Sequence, residues 1–121
     1  MISSTVGKTM DLFHALDEIR GQKMNKTMAK AIFQMRNEAK KDCEYFEEQQ
    51  REILQRMGLE VDGNGRINFG KDIEKVRQFQ TEMEELRNVE TELQCDPINL
   101  SEEQIDLSPA FIEATDGFII V

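Results

Sequence analysis

The sequence predicts a mainly α protein: an elongated antiparallel helical hairpin, or three-helix arrangement, carrying a small β-hairpin. Three observations carry that expectation. Apolar residues recur three and four apart over two long stretches. Between Gln22 and Gly58 there is no Pro or Gly to interrupt the longer of them. An Asp62-Gly63-Asn64-Gly65 core flanked by alternating apolar and polar residues then separates the two stretches. The chain has 121 residues and 14.0 kDa, the size of one domain, and is read as a single unit over 1–121.

The elements follow in order. Met10, Phe13, Leu16 and Ile19 mark a short amphipathic helix over 9–20, with hydroxyl residues before it to cap it and Gly21 to end it. Met24, Met28, Ile32, Met35, Ala39, Phe46, Ile53 and Met57 mark a long helix over 24–57. A β-hairpin is expected over 59–69, because its turn needs positive φ, which Gly and Asn adopt cheaply. Ile73, Val76, Phe79, Met83 and Leu86 place the next helix over 72–90. Residues 91–96, before Pro97, are a candidate third strand beside the hairpin or at a nearby edge. Over 97–121, Ser101 with Gln104 makes a capping box for a short helix. Ser108-Pro109 opens another, and the chain closes on the apolar Phe118-Ile119-Ile120-Val121, expected at the surface. The first and third helices together match the long one in length, so both should lie antiparallel against it, one at each end.

Composition removes several function classes. No apolar run approaches the roughly 18–20 residues of a membrane helix, and Met1–Gly7 lacks the layout of a signal peptide. The expectation is a protein of the cytoplasm, without membrane or small-molecule partner. Cys43 and Cys95 stand far apart and His14 is the only histidine, so a Cys/His zinc site lacks ligands. Free, semi-buried thiols are the main reading of both cysteines, with a Cys43–Cys95 disulfide as the alternative. Paired carboxylates such as Glu47-Glu48 and Glu84-Glu85 read as solvated faces, and no nucleophile or base is nominated. The chain is read as non-enzymatic and cofactor-free.

The net charge of −9 conceals an uneven layout. From Arg20 to Lys41 there are seven basic residues and one acid, a net of +6. From Gln78 to Val121 there are eleven acids and one base, a net of −10. Three consequences are open: the acidic third folds near the basic half and softens self-repulsion; its acids, with Glu82, Glu84, Glu85, Glu90, Glu92 and Asp96 foremost, face a partner; or Lys23, Lys26 and Lys30 form a basic face for a partner, with direct nucleic-acid contact the least favoured use. A long helix with more apolar positions than one short partner covers also points to a homo-oligomer.

Two stretches resemble known motifs. Gly7-Lys8-Thr9 matches only the end of a phosphate-binding loop; Ile2 stands where the first glycine belongs, so that reading fails. The segment from Glu60 resembles the calcium loop of the EF-hand family, with Glu60, Asp62 and Asn64 as weak candidate ligands. It departs at the twelfth position, where Lys71 replaces the bidentate carboxylate.

After a long charged helix, a Gly/Asn hairpin and a Glu-rich helix come Pro97-Ile98-Asn99-Leu100-Ser101 and Leu107-Ser108-Pro109-Ala110. In that layout and those two segments the chain resembles a family of small phage and prophage proteins of unknown function. The resemblance implies a phage origin and transfers no functional residue. The leading expectation is a phage or prophage protein that binds another protein, of host or phage, as a minor virion or assembly component or as a modulator of host machinery. The alternatives are an acidic inhibitor of a nucleic-acid enzyme, with carboxylates imitating phosphates as an anti-defence protein would, and a degenerate calcium binder.

Overall fold

A computed structural model describes residues 1–121. The chain runs β1 (Ile2–Thr5), α1 (Val6–Leu16), a 3-10 turn (Asp17–Ile19), α2 (Lys26–Arg56), β2 (Glu60–Val61), β3 (Ile67–Asn68), α3 (Ile73–Arg87), β4 (Glu90–Leu93), β5 (Ile98–Asn99), α4 (Pro109–Ala114) and β6 (Ile119–Ile120). The mainly α class with a small β-hairpin is what the structure has, and α1 and α3 both pack against α2. No helix is long and apolar enough to cross a membrane.

Helix boundaries follow local capping. The Thr5 side chain accepts from the Lys8 amide, so α1 starts at Val6, three residues earlier than expected. Thr9 is not a cap; it is buried inside α1 with its hydroxyl donating to the Thr5 and Val6 carbonyls. Asn25 caps α2 through the Thr27 amide, which leaves Lys23 outside the helix. At 31 residues, α2 is about 46 Å long. Asp72 caps α3, which ends at Arg87. The expected helix over 72–90 thus stops short: Asn88 is its C-cap and Glu90 already belongs to β4.

Two apolar clusters sit at opposite ends of α2. The larger, the body, joins Leu12, Leu16 and Ile19 to Met35 and Ala39 of α2 and to Leu93, Ile98, Leu100, Phe111, Phe118 and Ile119. The smaller, the arm, is built on Ile53, Phe79 and Leu86, with Phe46, Leu54, Met57, Phe69 and Met83 around them. An edge-on contact between Phe69 and Phe79, 5.6 Å between ring centroids, ties the hairpin to α3.

Three expectations in the β and tail regions change in part or in whole. The candidate third strand forms, over Glu90–Leu93 instead of 91–96, but it does not join the hairpin: β4 pairs antiparallel with the N-terminal β1, Ile2 opposite Leu93 and Thr5 opposite Glu90, while β2 and β3 pair only with each other. Alternation explains it, because Leu93 is buried and Thr91 half-buried on the face turned toward α2, whereas Glu90 and Glu92 point outward. The Thr91 hydroxyl donates to both carboxylate oxygens of Asp42, at 3.1 and 3.2 Å, and fixes that orientation. The capping-box helix at Ser101 does not form. Asn99 Oδ1 takes both the Ser101 amide and its hydroxyl, so the cap is already engaged by an Asx turn. Of the apolar end, only Ile120 and Val121 are at the surface. Phe118 and Ile119 are buried, and β6 pairs in parallel with β5, Ile98 opposite Ile119. The helix opened by Ser108-Pro109 is present, with the Ser108 hydroxyl accepting from the Phe111 amide.

Candidate protein-interaction surface

The acidic candidates separate into tethered and free groups. Glu82 is half-buried and meets Arg56 at 2.7 Å, joining α3 to α2. Asp96 lies 3.6 Å from the Met1 amino group. Glu84, Glu85, Glu90 and Glu92 are exposed and make no ion pair. Glu84 and Glu85 stand in the last turn of α3, and the chain passes through Asn88 and Val89 into β4, whose outer face presents Glu90 and Glu92 beside Thr5 and Ser3. The structure therefore leaves a run of carboxylates at the α3–β4 corner without a counter-cation.

The basic segment does not supply one. Arg36 pairs with Asp17 at 3.2 Å and lies over the Phe13 ring, 4.5 Å from its centroid. Arg20 also turns to Asp17, Lys40 to Glu44 and Lys41 to Glu38. The C-terminal third does pack on the basic half, but through Ile98, Leu100, Phe111 and Phe118 against apolar faces. Self-neutralisation by ion pairs between the two charged segments does not occur. Lys23, Lys26 and Lys30 are exposed and unpaired. Lys26 and Lys30 share a face of α2 at four-residue spacing, whereas Lys23 belongs to the preceding loop, so the three do not form the single helical face the sequence suggested.

The hairpin candidates have structural employment. Asp62 Oδ1 accepts from the Asn64 and Arg66 amides, at 2.8 and 2.9 Å, which is the turn itself. Glu60 lies opposite Asn68 in the ladder, and the Asn68 side chain accepts from the Gly70 amide. Nowhere do three His, Cys, Asp or Glu side chains converge in a metal-holding geometry.

Both cysteines are free. Cys43 is buried on α2, and burial first, then the neighbouring Glu47, Asp42 and Glu44, push its thiol up to about 11. Cys95 is half-buried, and its thiol is raised chiefly by burial, then by Glu38. High thiol pKa values are those of structural, not nucleophilic, cysteines. His14 is exposed and rests edge-on against Phe13.

One feature had no reading in the sequence. An open cleft of about 670 Å³ runs between α2 and the β4–β5 connection, lined by the carboxamides of Gln34, Asn37, Gln94 and Asn99 with Lys41 and Cys95. The spacing of Gln34 and Asn37, one turn apart on α2, was the only available signal. Its other wall is set by the strand pairing of β5, which the sequence did not disclose. Comparison of the chain with protein-family models, with characterised proteins and with solved structures finds no match in any of the three.

Proposed function

We propose that the chain is a non-enzymatic protein that acts by binding another protein, and that its partner presents a basic surface to the α3–β4 corner. The observation that carries this reading is the run of exposed carboxylates at Glu84, Glu85, Glu90 and Glu92, left without cations although a +6 segment lies in the same molecule. Charge left unpaired costs little in water and serves recognition: it steers a basic partner and suppresses wrong ones. The sequence resemblance supplies the setting, a phage or prophage protein working in the host cytoplasm or in the virion.

The same carboxylates support a second reading within this class. Glu90 and Glu92 project from one face of a strand, where alternate residues are about 6.8 Å apart. A row of charges at that spacing suits a surface built for phosphates, so the partner becomes a nucleic-acid enzyme and the chain its inhibitor.

Pull-down on the immobilised protein tests both. The expected result is a partner retained at low salt, released as ionic strength rises, and lost with Glu85→Gln/Glu90→Gln/Glu92→Gln. Release of that partner by added DNA identifies the inhibitor reading. Absence of any complex with host or phage proteins, or a complex indifferent to salt and to the triple variant, overturns the proposal.

A further inference from the structure

The arm is an incompletely covered structure. Its most buried residues, Ile53, Phe79 and Leu86, keep 9%, 9% and 7% of their surface, whereas Leu12, Met35 and Ala39 in the body keep none. Only α2 and α3 build it, with β2–β3 closing one end. Beyond the cluster, Ile73 is 67% exposed and Val61 48% exposed. Val76, one turn along α3 from Ile73, is half-buried without belonging to the cluster.

The exposed surface of the whole chain is of the size that a second copy would reduce. A compact monomer of 14.0 kDa exposes about 6,700 Å², while this chain exposes 8366 Å². The surplus is roughly 1,700 Å² per chain, within the roughly 1,000–2,500 Å² that each protomer contributes to an obligate homodimer.

Charge says which way the cover runs. Around the start of α3, Lys71, Lys75 and Arg77 against Asp72 and Glu74 give a net of +1, and at its end Glu82, Glu84 and Glu85 against Arg87 give −2. On the stretch of α2 that belongs to the arm, Asp42, Glu44, Glu47 and Glu48 come first and Arg51 and Arg56 follow. Because α2 enters the arm and α3 leaves it, the arm is acidic where it joins the body and more basic toward its tip. A parallel copy sets acidic root on acidic root, whereas an antiparallel copy sets the tip of each arm against the root of its mate, as a two-fold, self-complementary interface requires.

We infer that the open side of the α2–α3 arm is a homodimer interface, and that the second copy lies antiparallel, related by a two-fold axis across the arm. The interface is distinct from the outer face of β4, so dimerisation and partner binding fail separately.

Light scattering on the full chain tests it. The wild type is expected at twice the 14.0 kDa chain mass at micromolar concentration. Ile73→Lys, at a position already mostly in water, should give folded monomers by circular dichroism while leaving Glu85, Glu90 and Glu92 in place for the pull-down. Lys71→Glu/Arg77→Glu should dissociate the dimer, and so should Glu47→Lys/Glu48→Lys, which leaves the partner-facing carboxylates in place. Mixing those two charge variants should restore a dimer, as should placing all four substitutions in one chain. A wild type that stays at 14.0 kDa overturns the inference. So does a dimer indifferent to Ile73→Lys and to both charge variants, since the copies then meet elsewhere, or one in which the four-substitution chain stays dissociated, since the copies are then not antiparallel.

Discussion

Arg87 closes directly over Gly7. A Cβ built on Gly7 would stand 2.9 Å from the Arg87 Nε and 3.0 Å from both its Cβ and its Cζ. From this position the guanidinium reaches the Gly7 carbonyl at 3.3 Å and the Asp11 carboxylate at 2.9 Å, joining the end of α3 to the start of α1. The glycine that looked like a fragment of a phosphate loop is thus required by close approach.

Gly7→Ala follows from that contact. In a helix the exchange ordinarily stabilises by about 0.5–1 kcal/mol, but here the added methyl meets the root of Arg87 as well as its tip. Overpacking of this kind costs about 1–3 kcal/mol. The net expectation is a loss of about 1 kcal/mol, read as a fall of a few degrees in the thermal midpoint. Arg87→Ala in the same chain should relieve the contacts with the guanidinium but not that with the Arg87 Cβ, so Gly7→Ala should cost less there without becoming stabilising.

Phe118 and Ile73 should respond in opposite ways. Phe118 is 3% exposed and in the body core, so Phe118→Ala should cost about 3–5 kcal/mol in denaturant unfolding. Ile73→Ala should change the stability of the monomer by less than about 0.5 kcal/mol, because its side chain is mostly in water. Hydrogen exchange should show the hairpin and the start of α3 opening before α1, in keeping with the poorer burial of the arm.

Ser108 performs two tasks at once. Its hydroxyl caps α4, and its amide and hydroxyl both meet the Glu18 carboxylate at the end of the first helical segment. Ser108→Ala should cost about 1–2 kcal/mol, more than a cap alone. Glu18→Gln should recover part of that coupling in a double-mutant cycle, because an amide oxygen still accepts from the Ser108 backbone.

Cys43 makes stability depend on alkaline pH. Its folded thiol titrates at about 11 against 9.0 for an ordinary one, so between these values the unfolded chain releases a proton that the folded chain keeps. The contribution is fully present below pH 9.0 and is lost as pH rises through about 11. Chemical denaturation across that range should show stability falling in the wild type and a shallower fall in Cys43→Ala. Thiol reagents at neutral pH should modify Cys43 slowly in the native state and rapidly in urea.

The acidic corner should be a surface that stability does not need. Replacing Glu90 and Glu92 by Gln removes like charges one strand repeat apart, so the thermal midpoint should rise slightly at low ionic strength. At high salt the gain should vanish. A fall in midpoint at both ionic strengths would assign these residues to the fold instead of to recognition.

The helices and the hairpin were legible because each declares itself within a few residues: the apolar spacing of Met28 to Met57, the Asp62 turn, the Ser108-Pro109 start. What was not legible depends on segments remote in sequence. Nothing near Ile2 announces that it will lie opposite Leu93, and a four-residue run such as Ile2–Thr5 gives too short a pattern to distinguish a strand from a leader into a helix. Likewise Phe118 and Ile119 read as an exposed tail until β5 is placed beside them. Of the candidate site, sequence supplied the identity of the carboxylates. Which of them are free required knowing that Arg56 reaches Glu82 and that Arg36 turns away to Asp17.

The body draws its core residues from Leu12–Ala39 and from Leu93–Ile119, and the arm draws its own from the uninterrupted stretch between them. In chain order the arm is a single excursion from the body whose entry and exit are the two adjacent helices α2 and α3. Its length is therefore a free variable for evolution and for engineering: whole heptads removed in matched pairs from α2 and α3 keep the facing sides in phase and leave the body's contacts untouched. Chains built on the same body can reach partners, or second copies, at different distances by this single change.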